Sequence, residues 1–245
     1  DPLDKNKDNT FHFSVIASDG LLSAMASYSF SITNVNERPV ISLNKIDDIE
    51  EGKTLVATIS ASDPDANTSL TYTLTSAKDS DLFTIGAKTG VIKFKTTPDH
   101  EMPRDSGSNN SINFSVQVSD GALIDVQEYS FAITNKNEAP VITTTSFSIS
   151  ENNVIVGAIS ASDVDSGTTL SYGLAAGAGS DEQLFDINST TGALVFKSRP
   201  DYETPKDNSG NNTYNISVTA SDGSIKTSKA IEITVQNVNE APSFL

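Results

Sequence analysis

The sequence predicts an all-β chain of antiparallel sandwiches strung in tandem, and three observations predict it. Ordered motifs recur at a period near 100 residues, the Asp-Gly pairs being separated by 120 − 19 = 101 and 222 − 120 = 102 positions. Apolar residues alternate with period two in short runs. No segment longer than a turn carries a 3.6-residue period.

The recurring strings are Ala17-Ser18-Asp19-Gly20, Val118-Ser119-Asp120-Gly121 and Ala220-Ser221-Asp222-Gly223. Asn34-Val35-Asn36-Glu37-Arg38-Pro39 returns as Asn135-Lys136-Asn137-Glu138-Ala139-Pro140 and as Asn237-Val238-Asn239-Glu240-Ala241-Pro242, and Asp63-Pro64-Asp65 returns as Asp163-Val164-Asp165. The chain therefore divides into residues 1–36, matching the last third of a repeat, full repeats at 37–137 and 138–239, and residues 240–245, matching the start of another. It reads as a piece of a longer array.

Within the repeats, a strand precedes each Asp-Gly: Phe11, Phe13, Val15 and Ala17; Ile112, Phe114, Val116 and Val118; Tyr214, Ile216, Val218 and Ala220. A closing strand follows, with Tyr129, Phe131 and Ile133 matching Ile231, Ile233 and Val235. Leu55, Ala57, Ile59 and Ala61 match Ile155, Gly157, Ile159 and Ala161 as an earlier half-buried strand. Hairpins turn at Thr89-Gly90 and Thr191-Gly192, where glycine accepts positive φ. About seven short strands per ~100 residues make a sandwich with one buried face per sheet.

Composition narrows the function. The net charge of −16 argues against nucleic acid and against an anionic membrane face. With no Cys and 2 His, thiolate sites, disulfides and His-rich metal sites are absent. No apolar run approaches a membrane span, and the N-terminus carries no basic-plus-apolar secretion signal.

The acidic residues gather where strands end. One pole of repeat 37–137 should carry Glu51, Asp99 and Glu101, and the other Asp63, Asp65 and Asp120; repeat 138–239 should carry Glu151, Asp201 and Glu203 against Asp163, Asp165 and Asp222. Stacking the repeats end to end would bring Glu51, Asp99, Glu101, Glu138, Asp163, Asp165 and Asp222 to one junction. Two such charges ~5 Å apart repel by roughly 3 kcal/mol at an effective dielectric near 20. Ca²⁺ answers that repulsion best, since it takes roughly 6–8 oxygen ligands in flexible geometry, whereas Mg²⁺ holds its water and softer metals want nitrogen or sulfur. Singly, an Asp-x-Asp is a solvated turn, an Asp-Gly a turn and an Asn-Glu-x-Pro a linker; their ordered recurrence carries the signal.

That ordered set resembles cadherin repeats, specifically the bacterial cadherin-like repeats of large secreted RTX-type adhesins. The resemblance implies tandem Greek-key sandwiches of about seven strands each. It implies Ca²⁺ held by Glu51 and Glu151, Asp63-x-Asp65 and Asp163-x-Asp165, Asp99-x-Glu101 and Asp201-x-Glu203, Asp120 and Asp222, and by the linker residues Asn34, Asn36, Glu37, Asn135, Asn137, Glu138, Asn237, Asn239 and Glu240. Asn34, Asn135 and Asn237 stand where the family usually has Asp, giving a carbonyl oxygen without charge. Residues 1–36 lack the Glu and Asp-x-Glu elements.

The function so implied is a calcium-rigidified extender segment of a secreted, cell-surface adhesin. Its partners are neighbouring repeats, with polysaccharide or protein ligands engaged through other domains. The alternative is a calcium-dependent carbohydrate- or protein-binding module, for which Tyr28, Tyr72, Tyr129 and Tyr172 fall mostly on core-like positions. A glycosidase-like acid–base pair fits poorly, since every carboxylate pair recurs. Two further features are minor. The loops Asp105–Asn110 and Asp207–Asn212 read as long turns before they read as further Ca²⁺ loops. His12 faces outward and His100 takes the place of Tyr202, neither with a partner for catalysis.

Overall fold

A computed structural model describes residues 9–65, 68–75, 78–177 and 180–241. Residues 1–8, 66–67, 76–77, 178–179 and 242–245 lie outside them. The chain forms two units, Asp1–Thr134 and Asn135–Leu245.

The first unit opens with a hairpin, β1 (Thr10–Ser18) and β2 (Ser23–Ser31), paired from Thr10↔Ser31 to Ser18↔Ser23. There follow β3 (Val40–Ile41), β4 (Ile49–Glu50), β5 (Leu55–Thr58), β6 (Ala61–Ser62), β7 (Thr71–Leu74), β8 (Phe83–Ile85), β9 (Val91–Phe94), β10 (Ser111–Ser119) and β11 (Ile124–Thr134). They assemble as a β4-β11-β10-β7 sheet, a β5-β9-β8 sheet and a short β3-β6 ladder. The second unit repeats this plan with β12 (Val141–Ile142), β13 (Ser146–Ser150), β14 (Ile155–Ala158), β15 (Ala161–Ser162), β16 (Ser171–Ala175), β17 (Phe185–Ile187), β18 (Ala193–Phe196), β19 (Thr213–Ser221) and β20 (Lys226–Gln236). Its sheets are β13-β20-β19-β16, β14-β18-β17 and β12-β15.

Each sandwich is thus all-β, its about seven strands appearing as nine segments among the described residues because two of them are interrupted. The first strand starts antiparallel to β6, leaves it, and ends parallel to β11 as β4; β12 and β13 do the same against β15 and β20. The sheets are therefore not purely antiparallel. The crossing is pinned by side chains: Ala132 N–H donates to Asp48 Oδ1 at 2.8 Å and Ile41 N–H to Asp125 Oδ2 at 2.9 Å. Tyr129 adds a third tie, donating its phenol to the Leu43 carbonyl at 2.7 Å.

The alternation on β10 and β19 holds. Ile112, Phe114, Val116 and Val118 are buried, as are Tyr214, Ile216, Val218 and Ala220, and Tyr129, Phe131 and Ile133 face them from β11. These rows pack on Phe83, Ile92 and Phe94 in the first unit and on Phe185, Leu194 and Phe196 in the second. The glycine hairpins hold as well. Gly90 has φ +65° and donates to the Gly86 carbonyl at 2.8 Å. A Cβ there would lie 2.2 Å from the Ile59 carbonyl oxygen, so only glycine fits without movement.

Two expectations are corrected. Leu55 and Ile155 are exposed (57% and 64%), although alternation assigns them to the core. A register shift after each of them, a β-bulge, turns Val56 and Val156 inward instead. On β1 and β2, Phe13, Val15 and Tyr28 are about half exposed because no second sheet covers their face among the described residues. Tyr28 is consequently not a core residue, whereas Tyr72 and Tyr129 are buried and Tyr172 is partly so.

Candidate functional site

The long closing strand separates two groups of carboxylates. Asp120 sits in the turn before β11 and Glu51 beside its last residue, where Glu51 N–H donates to the Thr134 carbonyl at 3.0 Å. The 11 residues of β11 place these groups ~33 Å apart at about 3.3 Å per residue. In the second unit Asp222 and Glu151 take the same places at the two ends of β20, with Glu151 N–H on the Gln236 carbonyl at 3.0 Å.

At the far end of β11, carboxylate oxygens of Glu51, Asp99 and Glu101 lie within 4.8 Å of one another; at the far end of β20, those of Glu151, Asp201 and Glu203 do. Backbone amides fix four of these six rotamers. Glu51 accepts from His100 N–H at 2.8 Å and Asp99 from Met102 N–H at 2.9 Å. Glu151 accepts from Tyr202 N–H and Val238 N–H, both at 2.8 Å, and Asp201 from Thr204 N–H at 3.0 Å. The His100 ring, read from sequence as lacking a catalytic partner, sets Nδ1 3.1 Å from Glu101 Oε1. Asn237 donates to Glu203 Oε1 at 2.7 Å, so that linker amide joins the second cluster. Glu240 instead accepts from Asn152 at 3.0 Å, and Asn239 is exposed.

At the opposite ends, the linker asparagines organise the aspartates. Asn135 donates to Asp165 Oδ1 at 2.6 Å, Glu138 N–H to Asp165 Oδ2 at 3.0 Å, and Asn137 to Asp222 Oδ2 at 2.7 Å. In the first unit Asn34 and Glu37 N–H hold Asp65, and Asn36 holds Asp120 at 2.7 Å. The Asp-Gly motif has a double role here. Oδ1 of Asp120 accepts Ala122 and Leu123 N–H, both at 2.6 Å, closing the turn, while Oδ2 is left for the linker. These donors favour the ionised forms. The Asn34 and Asn135 amides lower the pKa of Asp65 and Asp165, the Leu123 amide lowers Asp120, and the Asn137 amide lowers Asp222.

One oxygen in each Asp-x-Asp is different. Asp63 Oδ1 accepts Asp65 N–H at 2.8 Å and Asp163 Oδ1 accepts Asp165 N–H at 3.0 Å. Their Oδ2 atoms are buried with no hydrogen-bond partner among the described residues. A buried anionic oxygen without a donor costs free energy that a cation would recover. The donor set is all oxygen, and Lys45, Lys53 and Lys197 pair with Asp47, Glu50 and Asp186, none a member of it. These residues fit a hard divalent cation.

The polar loops do not. Asp105 accepts the amides of Gly107, Asn109 and Asn110, and buried Asp79 those of Ser106 and Asn113. Asp207 and Asp181 repeat the arrangement. Their oxygens are consumed in forming turns, in line with the turn reading. Buried Asp79 and Asp181 were not marked by sequence; each lies just before a 3-10 turn and looks like surface.

Residues 145–237 match the cadherin domain family. The whole chain aligns with much longer relatives, spanning 5–8% of their lengths. Mouse Protocadherin Fat 4 is 27% identical over 263 residues (99% of this chain, 5% of that one), and the Drosophila melanogaster protocadherin-like wing polarity protein stan is 29% identical over 275 residues (99% and 7%). Among solved structures, human protocadherin-24 EC1-2 superposes with a TM-score of 0.56 at 22% identity, covering 85% of this chain and all of that one. Protocadherin gammaB7 EC3-6 gives 0.57 at 20% identity, covering 94% and 61%. The relatives are animal proteins, so a bacterial RTX origin finds no support among them. The second unit thus matches the cadherin domain family over residues 145–237, and the chain shares its fold with cadherin ectodomains.

Proposed function

We propose that this chain is a calcium-rigidified extender segment of a cell-surface adhesin, in which linker residues bring two carboxylate poles to shared ions. Covalent connectivity supports the reading. Thr134 closes β11 beside Glu51, and the next residue, Asn135, holds Asp165. One peptide bond therefore joins a Glu51/Asp99/Glu101 pole to an Asp163/Asp165/Asp222 pole. The observation that carries the proposal is the buried, unpartnered Oδ2 of Asp63 and Asp163.

Glu51, Asp99 and Glu101 would hold calcium with Asn135, Asn137, Glu138, Asp163, Asp165 and Asp222. The preceding linker would use Asn34, Asn36, Glu37, Asp63, Asp65 and Asp120, and the following one Glu151, Asp201, Glu203, Asn237, Asn239 and Glu240. The bound ion supplies positive charge that cancels carboxylate repulsion. The protein supplies fixed oxygens, because backbone amides hold Glu51, Asp99, Glu151 and Asp201, and linker asparagines hold Asp165, Asp222 and Glu203, before an ion arrives. At ~10⁻³ M calcium and a Kd of ~10⁻⁴ M, one site adds about 1.4 kcal/mol to the aligned, folded state. The ordered recurrence of the Glu, Asp-x-Asp, Asp-x-Glu, Asp-Gly and linker motifs is the sequence basis for assigning the segment to a bacterial RTX-type adhesin, and asparagine at the first linker position is a departure from that pattern.

The adhesin itself would act outside the cell, meeting polysaccharide or protein ligands through other domains; no described helix is long and apolar enough to cross a membrane. No catalytic role is proposed, because every carboxylate pair recurs in both units. The test is small-angle scattering of the full chain in calcium and in chelator. A maximum dimension that shortens and a distribution that broadens on chelation are expected; identical curves would overturn the proposal.

A further inference from the structure

The two cores differ at several matched positions, and one difference, Ile112 against Tyr214, coincides with a space in the first unit. In the first, a cavity of about 220 Å³ has an apolar side of Leu82, Phe94, Pro98, Pro103, Ile112 and Ile133 and a polar side that includes Asp81, Asp99, Asp105 and Asn110. In the second, the same location keeps only about 10 Å³. The position of Ile112 is there taken by Tyr214, whose ring is 1% exposed and packs edge-on against Phe196 at 5.0 Å. The Tyr214 hydroxyl accepts Lys206 N–H at 3.3 Å. Arg104 occupies the position of Lys206 and lines the first unit's cavity. The fold thus contains one pocket filled by its own phenol and one left open.

We propose that the first unit's cavity is a binding site for a phenol-type aromatic ring, seated as the Tyr214 ring is seated in the second. Size supports this, since an apolar cavity of roughly 150 Å³ takes up benzene, and about 220 Å³ leaves space for a ring with a substituent. Chemistry supports it too, because the apolar side suits the ring faces, and Arg104, at the sequence position of the Lys206 whose amide meets the Tyr214 hydroxyl, lines the cavity. The exposed rim of Lys95, Thr96 and Arg104 gives access from solvent. Nothing in the calcium reading requires this pocket, although Asp99 touches both.

The probe is 4-methylphenol, the tyrosine side-chain fragment, titrated into the full chain in calcium-replete buffer and followed by NMR. Saturable shifts confined to Leu82, Phe94, Ile112 and Ile133 are expected, with a Kd on the order of 1 mM or lower. Ile112→Tyr, which copies the second unit, should weaken binding at least tenfold while raising the melting temperature. Shifts that do not saturate, shifts mapping elsewhere, or unchanged affinity in I112Y would each overturn the assignment. Should I112Y fail to fold, Ile112→Phe is the filling variant, and the mapped wild-type shifts alone decide.

Discussion

Replacing Asp163 by asparagine separates a calcium ligand from an ordinary turn residue, because the two roles predict opposite signs. Asp163→Asn keeps a carbonyl oxygen to accept Asp165 N–H, now at 3.0 Å, and removes one negative charge at the buried, unpartnered Oδ2. Without calcium the substitution relieves a desolvated charge beside Asp165 and should leave stability unchanged or raise it. With calcium it removes a charged ligand, and a loss on the order of 100-fold in affinity moves Kd from ~10⁻⁴ to ~10⁻² M. At ~10⁻³ M calcium the ion's contribution then falls from about 1.4 to about 0.1 kcal/mol. For a domain of this size that is a drop of ~5–10 °C in melting temperature. Differential scanning calorimetry in calcium and in chelator reads both arms. A fall of equal size in the two conditions would show that Asp163 serves the fold alone and refute the reasoning.

Other perturbations follow from the same geometry. Asn135→Asp replaces the amide on Asp165 with a like charge, so it should lower the melting temperature in chelator and tighten calcium binding by calorimetric titration. Gly90→Ala sets a Cβ 2.2 Å from the Ile59 carbonyl oxygen at φ +65°, and about 2 kcal/mol or more should be lost from the first unit's unfolding transition alone. Acid should act late. Hydrogen bonds from linker and turn amides hold the pKa values of Asp65, Asp120, Asp165 and Asp222 below the ordinary aspartate value, so the stability they contribute is present above the ordinary value and lost as pH falls through the folded values. Thermal melts in chelator should be flat in these contributions from pH 5 to 7 and decline below about pH 4; a decline centred near pH 6 would contradict the shifts.

The fold was legible where one face is buried without interruption. The rows of β10, β11, β19 and β20 alternate cleanly because both ends of each long strand stay in register, and the recurrence of Asp-Gly and Asn-x-Asn-Glu located their ends. What was not legible depends on register and on neighbours. Leu55 and Ile155 read as core because alternation runs unbroken through a bulge that shifts pairing by one residue. The parallel β4–β11 contact needs a strand to change sheets between Ile41 and Ile49, and no local residue type announces it. The carboxylate groupings could be read because their members lie at strand ends. The unpartnered Oδ2 of Asp63 and Asp163 could not, since it follows from which oxygen the Asx turn consumes.

A crystal of the full chain grown in calcium, with anomalous scattering used to place the ions, tests the central claim most directly. The account predicts density coordinated at once by oxygens of Glu51, Glu101, Asp163 and Asp165. Water alone at those oxygens, with calcium present in the crystal, would contradict it.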